Sequence, residues 1–181
     1  MTDFQNFKKL MRFLAERHPK VRHSPDEVHF ACSLDSADNA YAHQMHYPCV
    51  ALDLGDMRLD DETTVERSIV LMFLQHVSDT GSEQERDAAF DLTGDIVIDF
   101  LAQLAKLSDS ETCPNLSFLR RLSLAGTEMA RVELEEAGLY GWLVSMSSTF
   151  SLSSVLCHTD FGTDFPEALR SLFCPVPPPN S

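Results

Sequence analysis

Basic residues are scarce in this sequence of 181 residues. Lysine and arginine number 14 against 28 aspartates and glutamates, which gives a formal net charge of −14 at pH 7. Binding to the phosphates of a nucleic acid requires clustered positive side chains. The nearest candidate is the group of six basic residues between positions 8 and 22, which a helix would spread around its circumference. We therefore expect no specific nucleic-acid binding and interpret these residues as solvated surface, with a phosphate-binding role as the alternative.

Glycine-rich loops, paired cysteines and long apolar runs are also missing. The seven glycines are scattered singly, so the sequence has no phosphate-binding loop. The five cysteines include no C-x-x-C pair, which favours reduced, mostly buried thiols in an intracellular protein. The first residues do not have the pattern of a signal peptide, and the longest apolar run, residues 69–74, is of strand length. We therefore expect neither a secreted protein nor a membrane protein.

Hydrophobic residues make up 44% of the chain, which is enough for a core at this length. Their spacing predicts two helices, over residues 2–18 and 82–107. It predicts strands over residues 28–32, 47–54, 64–77, 129–135 and 139–152, whereas residues 118–124 fit either a helix or a strand. The predicted fold class is α+β: a single mostly antiparallel or mixed sheet, with an N-terminal helix and one long helix packed on it.

The predicted α+β domain covers residues 1–154. Residues 155–174 are less regular and are predicted to be an irregular C-terminal extension. The proline-rich residues 175–181 form a tail that favours polyproline II or disorder.

Two local signals concern the long helix. Ser82 and Glu85 fit a capping box at its start. Gly94 lies in its interior, where glycine costs about 1 kcal/mol relative to alanine. We therefore expect another element to pack closely at Gly94.

The clearest candidate for a metal-binding or catalytic site is the pattern His43-x-x-His46-x-x-Cys49. Imidazole and thiolate groups are zinc ligands, and Cys32 offers a fourth. The three residues span a loop and the start of a strand, however, and Pro48 interrupts them. We therefore predict no catalytic residue, no cofactor and no metal site, and we interpret the two histidines as exposed loop side chains. A zinc site, or an enzyme that uses these residues, is the alternative.

Two predicted strands carry more apolar surface than two helices are expected to cover. The strand over residues 64–77 is apolar on both faces, which is typical of a central strand, and the strand over residues 139–152 is rich in aromatic residues. Oligomerisation would absorb the excess. The residues predicted for an oligomer or partner interface are Ile69, Leu71, Phe73, Tyr140 and Trp142. The alternative is that all of this surface is the core of a single chain.

Several features recur together in one known family. They are an N-terminal helix, a strand that begins Tyr47-Pro48-Cys49-Val50, a Ser-Asp-Thr-Gly-Ser turn into a long acidic helix, and Tyr140-Gly141-Trp142 in the last strand. In these features the chain resembles the tail terminator or tail completion proteins of tailed bacteriophages and related contractile particles. The resemblance covers about residues 3–152.

The resemblance implies a structural virion-assembly protein that caps the tail tube and helps to join the tail to the head or neck. It implies a ring, commonly a hexamer, whose partners are further copies of the chain, the tail tube and neck or connector proteins. It also implies location in the cytoplasm of a bacterial host during assembly and then in the virion tail. Carboxylates lining a lumen would keep DNA from adhering, in line with the net charge of −14. The alternative is an adaptor or regulatory module that binds a protein partner without catalysis.

Overall fold

The computed structural model describes residues 3–21, 26–32, 45–59, 63–78, 80–108 and 114–151. His43, the predicted extension over residues 155–174 and the predicted tail over residues 175–181 lie outside these ranges. The described part of the predicted domain therefore ends at Ser151.

Two α-helices and five β-strands follow one another along the described ranges. They are α1 (Asp3–Arg17), β1 (Phe30–Cys32), β2 (Cys49–Leu59), β3 (Thr64–His76), α2 (Glu83–Ser108), β4 (Glu128–Leu134) and β5 (Leu139–Ser151). Short 3-10 helices, Pro114–Arg121 and Glu135–Ala137, precede β4 and β5. The segment that fitted either a helix or a strand is therefore mainly a 3-10 helix, and Leu122 beyond it makes an isolated antiparallel bridge with Ser148.

The described strands form one mixed sheet in the order β1-β2-β3-β5-β4. β1 runs parallel to β2, and the other neighbouring pairs are antiparallel. α2 connects β3 to β4 along the chain, and the β4–β5 hairpin then folds back so that β5 pairs with β3. The predicted α+β class, with a mixed sheet and two helices, is confirmed.

β3 is the central strand, as its apolar pattern predicted. It pairs with β5 along its whole length and with β2 from Val65 to Leu74. Phe73 points toward the helices and joins the main core, whereas Met72 and Leu74 point to the opposite face and are also buried. Successive side chains of a strand lie on opposite faces, so both faces of β3 are covered.

β2 continues to Leu59, well beyond its predicted end at residue 54. The apolar pattern stops there because Gly55 and Asp56 follow. The ladder with β3 resumes after a bulge, at Met57 opposite Arg67, and continues to the end of the strand. Backbone pairing with β3, rather than side-chain burial, therefore determines where β2 ends.

The main core lies between the sheet and the two helices, which pack on the same face. α1 contributes Phe7, Met11 and Ala15. The residues that α2 buries are Ala89, Phe90, Thr93, Ile96, Val97, Phe100 and Leu104. Ala88 is exposed, because the buried face of α2 includes Phe90 and Val97 and turns Ala88 outward.

The predicted capping box at the start of α2 is present. The backbone N–H of Ser82 donates to Oε2 of Glu85 at 2.7 Å, and the backbone N–H of Glu85 donates to Oγ of Ser82 at 3.3 Å. The Ser82 N–H precedes the helix and takes the Glu85 carboxylate as its acceptor, whereas the Glu85 N–H also donates to the carbonyl oxygen of Ser82 at 3.0 Å. The helix therefore begins at a defined residue.

Candidate functional site

The five residues predicted for an interface lie in the chain's own core. Ile69, Leu71 and Phe73 are each 1% exposed, Tyr140 is buried, and Trp142 is half-buried against the main core. These side chains are covered within the single chain, as the alternative of a single-chain core describes. An apolar strand face shows that something covers it, but the pattern does not distinguish a helix of the same chain from a second subunit.

Trp142 is fixed to α2 by a hydrogen bond and by the absence of a side chain at Gly94. Its indole N–H donates to the carbonyl oxygen of Phe90 at 3.0 Å. A Cβ at Gly94 would lie 3.3 Å from the indole nitrogen, which is tighter than an ordinary contact. The expectation of close packing at Gly94 is therefore confirmed, and Trp142 is the residue that packs there.

Arginine side chains stack on the aromatic residues around Trp142. The Arg131 guanidinium carbon lies 4.7 Å from the ring centroid of Phe90 and 5.8 Å from that of Trp142. Arg86 lies 5.3 Å from the ring centroid of Tyr140. Such cation–π contacts are worth about 0.5–2 kcal/mol each. This arginine–aromatic cluster joins α2, β4 and β5, so the Tyr140-Gly141-Trp142 motif acts here in packing.

A polar cavity of about 350 Å³ opens beside this cluster. Its lining residues are Ser78, Arg86, Glu135, Glu136, Gly138 and Tyr140. Within the described part of the chain, the buried Nε of Arg86 has no hydrogen-bond partner. The lining combines one cation with two carboxylates and includes neither histidine nor cysteine, so it suits a small polar group of mixed charge rather than nucleophilic chemistry.

His46 and Cys49, two of the weak candidates for metal ligands, differ in their exposure to solvent. His46 is exposed, and its Nδ1 accepts a hydrogen bond from the backbone N–H of Val28 at 3.2 Å. Cys49 is 3% exposed on the sheet. Among the described residues there is no group of three or more histidines, cysteines or carboxylates placed to hold a metal ion. His43 lies outside the described ranges, so the four-ligand alternative is not assembled from the side chains that are described.

His29 is a buried polar residue that the sequence analysis did not single out. Its Nδ1 lies 2.9 Å from the carbonyl oxygen of Pro48, and its Nε2 lies 3.2 Å from Oε2 of Glu27. The Tyr47–Pro48 peptide bond is cis. Because both ring nitrogens have partners, we interpret His29 as a residue that joins β1 to the turn before β2. A histidine within a strand pattern carries no sequence signal for this role.

Burial raises the pKa of the Cys49 thiol from 9.0 to about 12. Between these values the unfolded thiol ionises and the folded thiol does not, so stability present below pH 9 is lost as the pH rises toward 12. We expect this group alone to lower the free energy of unfolding by about 4 kcal/mol across that window. Urea denaturation at several pH values measures the slope. An identical slope in Cys49→Ala and in the wild type would contradict the prediction.

Exposed apolar side chains lie at the two sides of the sheet. Met57 is 63% exposed and Leu59 62%, and both lie on the outer half of β2. Met129 and Leu134 are exposed on β4, the strand at the other side. We call these two stretches the β2 edge (residues 53–59) and the β4 edge (residues 128–134). Both stretches present exposed apolar side chains, which the core strands do not.

A stripe of four aspartates follows the outer face of α2. The residues are Asp87, Asp91, Asp95 and Asp99, all exposed and four residues apart. Like charges at this spacing destabilise a helix by about 0.2–0.5 kcal/mol per pair. Two of them have partners among the residues that follow α1: Lys20 Nζ lies 2.7 Å from Oδ2 of Asp95, and His18 Nε2 lies 3.1 Å from Oδ2 of Asp99. The half of the stripe nearest the start of α2 remains strongly negative.

Within the described ranges, neither helix combines the length and the apolar composition needed to cross a membrane. Comparison of the whole chain with protein-family models, with curated proteins and with solved structures finds no match.

Proposed function

We propose that this chain is a non-catalytic assembly protein that binds further copies of itself side by side and acts as a tail terminator. In this role a ring of copies caps a phage tail tube and helps to join it to the head or neck. Two things support the proposal: the resemblance in element order and in the Tyr140-Gly141-Trp142 motif, and the exposed apolar side chains at both sides of the sheet. Such a role depends on surfaces rather than on reacting groups.

The observation that supports the proposal most is the strand pairing and the side-chain exposure at the two sheet edges. Among the described strands, none pairs with the outer side of β4, and β1 covers β2 only from Val50 to Leu52. The β2 edge and the β4 edge therefore combine backbone groups that no described strand pairs with exposed methionine and leucine side chains. Proteins that function alone usually protect such edges, because exposed edges pair with other chains.

The positions of the edges suit a ring. The β2 edge and the β4 edge lie on opposite sides of the sheet, separated by β3 and β5. A contact that joins one edge to the different edge of the next copy is heterologous, and it generates a closed ring when the rotation between copies permits. Main-chain pairing would supply affinity in this contact, and the exposed apolar side chains would supply specificity.

The acidic stripe of α2 would face the lumen in such a ring. It lies on the outer side of a helix that covers one face of the sheet, away from both edges. Asp87 and Asp91 would repel the phosphates of passing DNA and keep it from adhering. Repulsion of DNA in the lumen would explain why α2 carries four like charges that weaken the helix.

Complementary edge variants test the proposal. Met57→Lys damages the β2 edge and Met129→Lys damages the β4 edge, so neither variant should form rings alone. A mixture retains one intact contact and should stop at dimers. Ile98→Lys, at an equally exposed position on α2, is the matched control and should form rings like the wild type. Sedimentation velocity and electron microscopy measure the outcome.

Two outcomes would count against the proposal. A wild-type chain that stays monomeric across a wide concentration range, and does not bind tail tubes of the phage whose genome encodes it, would favour the adaptor that binds a single partner. Rings that survive both edge substitutions would show that assembly uses another surface. Neighbouring genes for capsid, tube and tape-measure proteins would support the phage role independently.

A further inference from the structure

The polar cavity beside the arginine–aromatic cluster is lined by side chains of both charges that do not pair with one another. Arg86 contributes a guanidinium to the lining, and Glu135 and Glu136 contribute two carboxylates. Within the described ranges, neither an ion pair nor a hydrogen bond joins the Arg86 side chain to either glutamate. Charges of both signs therefore line one space without neutralising each other by contact.

The backbone on the glutamate side of the cavity is held in one conformation. Gly138, in the turn between β4 and β5, has a φ of 61°, which favours glycine. Its N–H donates to the carbonyl oxygen of Glu135 at 3.1 Å, and its carbonyl oxygen accepts from the N–H of Val77 at 2.8 Å. A Cβ at Gly138 would lie 2.6 Å from the carbonyl oxygen of Val77. The turn that contains both glutamates therefore lies close against the residue that follows β3, and this side of the cavity is preformed.

The cationic side of the cavity is positioned by α2 and β5. The guanidinium carbon of Arg86 lies 5.3 Å from the ring centroid of Tyr140, which is buried. This contact holds the side chain in place but supplies no hydrogen-bond acceptor, and Nε of Arg86 is shielded from solvent without a described partner. A guanidinium presents five N–H donors in a planar fork that matches a carboxylate. This side of the cavity therefore suits the carboxylate of a ligand.

The balance of charges in the lining selects the class of ligand. An anion alone would be attracted by the guanidinium and repelled by two carboxylates, and a cation alone would be repelled by the guanidinium. A molecule with one carboxylate and two cationic groups complements one cation and two carboxylates. The volume of about 350 Å³ lies near the lower end of the range for small-molecule sites, about 300–1,000 Å³. The cavity therefore suits a small molecule that has a net charge of +1.

We propose that this cavity binds a free basic α-amino acid. The α-carboxylate of the ligand pairs with the guanidinium of Arg86. Its α-ammonium and its side-chain cation pair with the carboxylates of Glu135 and Glu136. The lining residues lie outside the β2 edge and the β4 edge, so binding does not depend on whether copies of the chain form a ring.

Equilibrium dialysis of the full-length chain against molecules of matched length tests the proposal. L-lysine has the carboxylate and both cations, L-norleucine lacks the side-chain cation, and pentane-1,5-diamine lacks the carboxylate. We expect one L-lysine or L-arginine to bind per chain, at least about tenfold tighter than either analogue, since each analogue leaves a charged group of the cavity without a partner. If neither amino acid binds saturably, or if an analogue binds as tightly as L-lysine, the proposal is wrong.

Substitutions in the lining locate the site. Arg86→Gln should weaken the binding of L-lysine at least about tenfold without weakening that of pentane-1,5-diamine, because only the amino acid has a carboxylate. Glu136→Gln should weaken the binding of both, and Glu136 is exposed, so this variant is expected to fold.

Two substitutions outside the lining are the matched controls. Arg131→Gln removes another arginine that stacks on the same aromatic cluster, and Glu83→Gln removes an exposed carboxylate at the start of α2. Both should bind L-lysine as the wild type does, and urea denaturation checks that each variant is folded. Affinities that fall as far in the controls as in Arg86→Gln and Glu136→Gln, or that fall in none of the four, would overturn the assignment of the site.

Discussion

Replacement of Phe73 by alanine is expected to lower the free energy of unfolding by about 3–5 kcal/mol. Phe73 is 1% exposed, and its ring meets that of Phe100 edge-to-face with centroids 5.0 Å apart. The substitution removes this contact and leaves a cavity between β3 and α2, which the close-packed surroundings fill only partly. Urea denaturation of the full-length chain measures the loss, and the Tm should fall by roughly 10 °C.

Phe13→Ala is the matched control, since it makes the same chemical change at an exposed position of α1. Phe13 contacts Arg17, whose guanidinium carbon lies 4.0 Å from its ring centroid, so a loss below about 1 kcal/mol is expected. The pair also discriminates between the two interpretations of the β3 strand. If Phe73 served an interface between subunits, its replacement would abolish association and leave the Tm of the monomer unchanged.

Gly141→Ala is expected to destabilise the protein by more than about 3 kcal/mol, or to prevent folding. A Cβ at Gly141 would fall directly on the carbonyl oxygen of Phe73, and it would lie 3.1 Å from Cα of Leu74. Both contacts are with the backbone of β3, which cannot turn aside as a flexible side chain can. Relief of the clash therefore requires β3 and β5 to move apart and to lose ladder hydrogen bonds.

Gly126→Ala provides the control for this second variant. A Cβ there would meet Oγ of Ser123 at 3.2 Å, and a serine hydroxyl can rotate away. We expect its free energy of unfolding to remain within about 0.5 kcal/mol of the wild type. Equal stability of the two alanine variants would show that β3 and β5 do not approach as closely at Gly141 as the structure indicates.

The Tyr140-Gly141-Trp142 motif gains a physical explanation from these contacts. Tyr140 and Trp142 face α2 and form edge-to-face pairs with Phe90. Gly141 lies between them, where the backbone of β3 comes close. The motif therefore specifies how β5 fits between α2 and β3. A resemblance built on it concerns the fold first, and the exposed edges carry the functional part of the proposal.

Local sequence determined most of the elements of this fold. Helical spacing and the Ser82–Glu85 capping box predicted α2, and the apolar pattern of residues 69–74 predicted a central strand. These predictions succeed because each depends on neighbouring residues alone: a helix end needs acceptors for its own N–H groups, and a strand buried on both faces needs apolar side chains at every position.

The extent of β2 and the rotation of α2 depend on partners distant in sequence. β2 continues past Gly55 because β3 supplies backbone partners as far as Val65. α2 turns Phe90 inward and Ala88 outward because the aromatic rings of β5 lie beneath it. No periodicity within a single element carries this information, since it arises only when the elements pack.

The sequence by itself determined that this chain has an α+β fold with a central strand apolar on both faces and a strongly negative surface. Only the tertiary structure decided which apolar residues are core and which are available to a partner. A hydrophobic side chain shows the same preference for burial wherever it lies, and the cover it receives is set by strand order and helix placement. Phe73 is therefore enclosed under α2, whereas Met57 and Met129 remain exposed at opposite sides of the sheet.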